Sequence, residues 1–227
     1  MPFPGLADRL QSVQARIASA VARGAHGQRV ELIAVTKTHG PDAVEAAWAC
    51  GIRSVGENKV QEALDKMAHV AAPVAWHLIG HLQRNKAKHA TRFALVHSMD
   101  SARLADALHD VAQKAGTRLR VLVQVNASGE ESKGGYDPSE LAAEAARLRR
   151  LEALDVAGVM TMAPFDADEA LLRSTFARAR AARDVLREAG HAAHELSMGM
   201  SNDFEVAVEE GATMVRLGTI LFGERTP

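Results

Sequence analysis

One cysteine, one tyrosine and two tryptophans are all that 227 residues carry of those types. With Cys50 alone there is no intramolecular disulfide, and its place in the apolar stretch EAAWACG makes it a packed small hydrophobe rather than a nucleophile. An excess of either charge is also missing. Lys and Arg number 27 against 28 Asp and Glu, a net charge of -1, and the signs are mixed along the chain. No basic face advertises nucleic acid and no polybasic patch advertises a membrane. No apolar run approaches the length of a bilayer span, and the start MPFPGLADRLQSV lacks the charged head and apolar core of a signal peptide. The expectation is a cytoplasmic protein whose partner is a small molecule. No linker, repeat or low-complexity tract divides the chain, so residues 1–227 are expected to form one domain with a sizeable core.

What is present is periodicity. Leu6, Leu10, Val13, Ile17 and Val21 fall at helical spacing within residues 3–24 and predict an amphipathic first helix. Strand-like runs then recur at LIAVTK (32–37), SVGEN (54–58), AWHLIG (75–80), LVHSMD (95–100), RVLVQVN (120–126), VAGVMTMA (156–163), HELSMG (194–199) and MVRLG (214–218). Helical stretches alternate with them. In one, Leu104, Leu108 and Val111 share a face; in another, Leu172, Phe176, Ala179 and Leu186 do. Strand followed by helix implies parallel pairing with helical crossovers, and eight such units point to a (β/α)8 TIM barrel. Periodicity alone leaves a doubly wound sheet open.

In such a barrel, chemistry collects at the C-terminal ends of the strands. Those ends carry Lys37; Glu57 and Asn58; His77 and His81; His97, Ser98 and Asp100; Asn126 before SGEESKGG; Met160 and Met162; Ser197 to Ser201; and Arg216, Gly218 and Thr219. A lysine at a barrel mouth is partly desolvated, which favours a neutral, imine-forming amine. Late in the chain, Ser201 is placed to cap a helix beginning near Asn202 and to face an anion, while Gly218 admits a phosphate to the backbone and Thr219 adds a hydroxyl. An imine-forming lysine and a phosphate clamp together suit pyridoxal 5'-phosphate (PLP).

The stretches AVTKTHGPD, GENKVQEALDK, WHLIGHLQRNK, HSMDS, VNASGEESKGG, GVMTMAP and LSMGMSNDFEVAVEEGATMVRLGTILFG closely resemble the pyridoxal phosphate homeostasis proteins over roughly residues 4–223. That family comprises single-domain PLP-binding proteins similar to the barrel domain of bacterial alanine racemase. The resemblance implies that Lys37 carries the internal aldimine, that Ser201, Gly218 and Thr219 hold the phosphate, that Arg216 lies near the pyridine nitrogen and that Asn58 lies beside the cofactor. Lys59, where an aromatic is expected, and His81, where a less basic residue is expected, depart from the family pattern. Lys59 is a candidate to alter the charge at the rim.

PLP acts on amino acids as an electron sink, and an arginine beside its ring nitrogen disfavours the protonation that makes the sink strong. The favoured function is therefore a PLP-binding homeostasis protein that holds the cofactor with little or no turnover and affects its delivery to acceptor apoenzymes. The competing function is a weak PLP-dependent amino acid racemase, which the resemblance keeps open because racemases work with such an arginine. They also need an acid or base on the opposite face, supplied by a further domain for which this chain has no evident length. A cofactor-free isomerase using Lys37 is a more distant alternative, lacking a paired base. A monomer is expected. The HLIGH spacing of His77 and His81 does not suit a metal, because the two fall on a strand and the loop after it. His97 is expected to satisfy a core hydrogen bond, and the methionines of MTMAP and SMGMS to line the barrel as apolar filler. Lys133 is ambiguous between a solvated charge and a second contact over the cofactor.

Overall fold

The computed structural model describes residues 3–130 and 134–223. Lys133 lies outside them. Eight strands among the described residues close into a parallel barrel in sequence order: β1 (Glu31–Val35), β2 (Ser54–Glu57), β3 (Ala75–Leu78), β4 (Leu95–Met99), β5 (Leu119–Gln124), β6 (Leu154–Met160), β7 (Glu195–Ser197) and β8 (Met214–Leu217). β1 closes the ring on β8, with Ile33 beside Arg216. The doubly wound alternative is thereby excluded.

A first helix, α1 (Leu6–Gly24), precedes the barrel and buries Leu6, Leu10, Val13, Ile17 and Ala20. Outside the strands follow α2 (Pro41–Ala49), α3 (Val60–Met67), α4 (Ala102–Lys114), α5 (Leu141–Leu148), α6 (Glu169–Glu188), α7 (Phe204–Glu209) and α8 (Thr219–Phe222). The crossover after β3 departs from the expected pattern, for Arg84–Arg92 forms a 3-10 helix. Its sequence RNKAKHATR offers only Ala87 and Ala90 for burial. That spacing of three matches the 3-10 repeat, whereas an α-helix needs a wider apolar stripe.

Strand alternation sorts the core into two layers. Most apolar side chains lie between sheet and helices, Cys50 packing partly buried among them. A smaller cluster fills the barrel itself, made of Ile33, Leu95, Leu122, Ala157, Met160 and Met214, with Met162 partly buried against it. Of the methionines expected inside, Met160 and Met162 are there, but Met198 packs in the outer layer because its neighbour Ser197 takes the inward position. The interior polar residues share that inward face, as Arg216 stands two residues beyond Met214 and His97 two beyond Leu95.

On α6, Phe176 is wholly buried, as its periodicity predicts. Phe176→Ala is expected to destabilise the fold by about 3–5 kcal/mol, measured as a lowered denaturant midpoint. A change below about 1 kcal/mol would mean that this face does not pack on the barrel.

Candidate functional site

A cavity of about 910 Å³ opens at the C-terminal ends of the strands. Its wall brings together all six residues singled out in the sequence: Lys37, Asn58, Ser201, Arg216, Gly218 and Thr219. Most lie just past a strand rather than on it. Lys37 is two residues beyond β1 and Asn58 one beyond β2, so the strands stop earlier than their apolar runs suggested. Gly80 packs so tightly on the Asn58 loop that a Cβ there would meet the Asn58 carbonyl at 2.4 Å. A side chain at that position would push Asn58 from its place.

Ser201 reaches the cavity by a different route from the expected one. The helix after Gly199 begins at Phe204 with Asp203 at its N-cap, and Ser201 sits in the preceding turn. Ser201, Asn202 and Asp203 are all competent caps, and Asp203 also accepts from the Met200 amide at 2.5 Å, which closes the turn back on itself. The Ser201 hydroxyl instead faces the start of α8, where the Ile220 amide donates to it at 3.5 Å. Gly218, Thr219 and Ser201 thus form one corner of the cavity, with the first amides of α8 lacking intrahelical acceptors by geometry.

Arg216 lies inside β8 with only 4% of its surface exposed. Its Nη1 donates to Ser197 Oγ at 2.6 Å and its Nη2 to the Thr161 carbonyl at 3.0 Å. Ser197 Oγ lies 2.8 Å from His97 Nδ1, and His97 Nε2 lies 2.9 Å from His77 Nδ1. Arginine has donors only, so Ser197 must accept from it. The polarity that gives the Ser197 proton a partner then runs from Ser197 to His97 Nδ1, and from His97 Nε2 to His77. Below His77, Arg120 donates to Glu195 at 2.8 Å near the other mouth. A polar column therefore threads the barrel from Arg216 downward. Burial, then the Arg120 charge, lowers the His77 pKa to about 4, and burial holds His97 well below the usual imidazole range. Both imidazoles are neutral at pH 7. Burial also lowers Arg216 to about 10, against the opposing pull of Asp203, and leaves it charged at neutral pH.

The remaining candidates separate. His97 has the core role expected of it, while His77 and His81 go to different partners. His81 is on the rim, its side chain 69% exposed, with Nδ1 2.9 Å from Asp100 Oδ2. Tyr136 is buried away from the cavity wall and donates to Glu144 at 2.8 Å, and burial followed by that bond raises its pKa. Lys59 lines a separate outer cavity of about 620 Å³, together with Glu62 and Lys66. The Ser197 relay and the Asp100–His81 pair were not foreseen. Alternation places Ser197, His97 and His77 on the interior face, which is the sequence signal that could have found the relay.

The family model described as "Alanine racemase, N-terminal domain" matches residues 9–226, which defines the class of barrel. Alanine racemase from Clostridium difficile 630 superposes with a TM-score of 0.76 at 17% identity, over 97% of this chain and 57% of that one, and shares the fold. The pyridoxal phosphate homeostasis protein of Aquifex aeolicus is 41% identical over 222 residues, 96% of this chain and 97% of that relative. The human protein of the same name is 37% identical over 243 residues, 97% of this chain and 87% of its own. PipY of Synechococcus elongatus PCC7942, with PLP bound, superposes with a TM-score of 0.85 at 37% identity, over 96% of this chain and 100% of that one. The chain belongs to the pyridoxal phosphate homeostasis protein family.

The neutral imidazoles carry a stability signature. Unfolded His77 binds a proton near pH 6.5, whereas the folded chain takes it up only near pH 4. Between these values the unfolded state holds more protons, so stability falls as pH drops from 6.5 towards 4, by roughly 3 kcal/mol for this group. The His77→Leu/His97→Leu variant is expected to show a shallower loss of Tm over that range. An unchanged slope would mean that the imidazoles are not held neutral.

Proposed function

We propose that this chain binds PLP in the cavity at the C-terminal mouth and serves intracellular PLP homeostasis, with the Lys37 amine bonded to the cofactor as an imine. One observation carries this reading: a single cavity joins an amine from the β1–α2 turn to a hydroxyl-and-glycine corner from the β7 and β8 loops, with a buried guanidinium on the same wall. The residues present fit the group. Ser201, Gly218 and Thr219 offer hydroxyls and backbone to a phosphate, Arg216 offers a donor to a ring nitrogen, and Asn58 lines the wall beside Lys37. PLP supplies an aldehyde that condenses with amines and a ring that withdraws electrons from them. The relatives named above point to the same ligand.

Arg216 sets the limit on chemistry. It is charged at neutral pH and presents only donors, so it offers the ring nitrogen a hydrogen bond and repels a second positive charge there. The site is built to hold the cofactor more than to drive proton loss from a bound amino acid. Tyr136, one candidate for a base on the opposite face, is committed to Glu144. His81 with Asp100 is the pair that could serve a racemase instead, and it is the place to look if turnover is found. No helix among the described residues is long and apolar enough to cross a membrane. A cytoplasmic monomer with one PLP-binding domain over residues 1–227, passing PLP to acceptor apoenzymes, completes the proposal.

Hydride reduction of the loaded protein is expected to fix PLP on the peptide containing Lys37, and Lys37→Ala to abolish the imine absorbance while the barrel stays folded. Label found mainly on Lys133 or Lys59 would overturn the assignment. Hydrogen bonds to a charged phosphate are worth on the order of 1.5–3 kcal/mol each. The Ser201→Ala/Thr219→Val variant should therefore lose PLP affinity by about tenfold or more, while binding dephosphorylated pyridoxal nearly as before. Equal losses for both ligands would place the phosphate elsewhere. Alanine incubated with the loaded protein in deuterium oxide is expected to show negligible inversion, and rapid α-exchange with inversion would favour the racemase.

A further inference from the structure

Lys37 occupies an unusual turn. The His39 amide donates to the Thr36 carbonyl at 3.1 Å, so residues 36–39 form a β-turn with Lys37 at its second position and Thr38 at its third. Thr38 has φ of 69°. A positive φ at the third position marks a type II turn, where glycine or asparagine is the ordinary occupant, and a β-branched residue is strained there. Such a conformation persists only where its surroundings hold it.

Here the holding groups are a buried ion cluster behind the turn, facing away from the cavity. Lys66 of α3 is 5% exposed and directs its ammonium to three oxygens: the Thr36 carbonyl at 2.7 Å, Glu57 Oε1 at 2.7 Å and Glu62 Oε1 at 2.9 Å. All three of its protons are thereby accepted. Glu57 Oε1 also accepts from the Thr36 hydroxyl at 2.5 Å, and Glu62 Oε1 from the strained Thr38 amide at 2.5 Å. The Thr36 amide continues the ladder to the Gly56 carbonyl at 3.2 Å. Every polar group of Thr36 is thus engaged, and Thr38 is held by its N–H.

We propose that Glu57, Lys66 and Glu62 are positioning residues that clamp the backbone on both sides of Lys37 and so fix the aim of its amine into the cavity. A buried ion pair serving only to dock α3 on β2 would need no bonds to residues 36 and 38. Here the bonds converge on the two neighbours of one residue. Glu57 shows what the arrangement costs: its Oε2 is buried with no hydrogen-bond partner among the described residues, and burial raises its pKa although Lys66 and Thr36 pull the other way. A docking pair could be replaced by apolar packing at no loss, whereas a clamp on backbone groups needs an acceptor for the Thr38 amide and a donor for the Thr36 carbonyl. None of these three side chains is assigned contact with PLP.

The inference rests on the assignment of Lys37 as the PLP lysine, and its test separates the two. In the apoprotein, the pH profile of Lys37 acylation by an amine-directed reagent, resolved by peptide, reports the environment of the amine without cofactor. Glu62→Ala is expected to shift that profile and to weaken PLP binding about tenfold, the loss of one charge-assisted bond. Adding Thr38→Gly should recover most of both effects, because glycine adopts positive φ without strain. Should Glu62→Ala not fold, Glu57→Gln/Lys66→Met removes the two most buried charges together and leaves Glu62, a quarter exposed, on the Thr38 amide, and the same two shifts are expected through the lost bond to the Thr36 carbonyl. A folded variant whose acylation profile and PLP affinity both match the wild type would overturn the clamp, as would a failure of Thr38→Gly to rescue Glu62→Ala. A wild-type protein that takes no PLP on Lys37 would instead refute the site assignment, and the acylation profiles would still judge the clamp.

Discussion

A guanidinium inside a closed barrel is tenable only if hydrogen-bond acceptors take its protons, since an unsatisfied buried charge costs several kcal/mol. Arg216 meets this condition through Ser197 and the Thr161 carbonyl. Ser197 in turn lies against His97, and His97 against His77. The same burial that makes these contacts necessary keeps both imidazoles uncharged, so the column adds no second positive charge to the interior. Much of the barrel's inner filling follows from that constraint. A barrel of this size usually packs its interior with branched aliphatic side chains. Here part of that space is given to a hydrogen-bonded column ending at the ligand cavity, and Ile33, Leu95, Leu122, Met160 and Met214 fill what remains.

The two ends of the cavity are built from different kinds of local structure. The corner proposed for the phosphate is assembled from glycine, hydroxyls and the start of a short helix, groups whose placement follows from the β7 and β8 loops. The amine is delivered by a strained turn that does not hold its own shape and depends on α3 to do so. Lys37 and Arg216 are consequently fixed from opposite sides, one by a charged cluster outside the sheet and the other by a neutral column within it. Charge is thereby concentrated at the cavity while the barrel axis beneath Arg216 stays neutral as far as His77.

How much of this was legible in the sequence follows the range of the interactions. Strand runs and helical faces are local periodicities, and they marked eight strands, the first helix and the burial of Phe176 on α6. The six cavity residues were legible because parallel barrels collect them at one end. The run RNKAKHATR had too few apolar positions to declare a helix type, and became a 3-10 segment. In SND the three consecutive capping residues were locally equivalent, so the choice of Asp203 over Ser201 was decided by the turn and by Ile220. Lys66 was hidden for a different reason. Its spacing from Glu62 is an ordinary surface pair at i, i+4, and nothing local says that β2 will set Glu57 behind it in the dry layer.

In the site proposed here, a charged, donor-only Arg216, held by the neutral column, faces the ring nitrogen of bound PLP and keeps that nitrogen unprotonated. Nitrogen-15 NMR of the protein loaded with PLP labelled at the ring nitrogen measures this directly. The expected chemical shift is that of an unprotonated, hydrogen-bonded pyridine at neutral pH, with little further movement away from the pyridinium position as pH rises. A pyridinium shift at neutral pH would contradict it, because no donor-only neighbour could stabilise that proton.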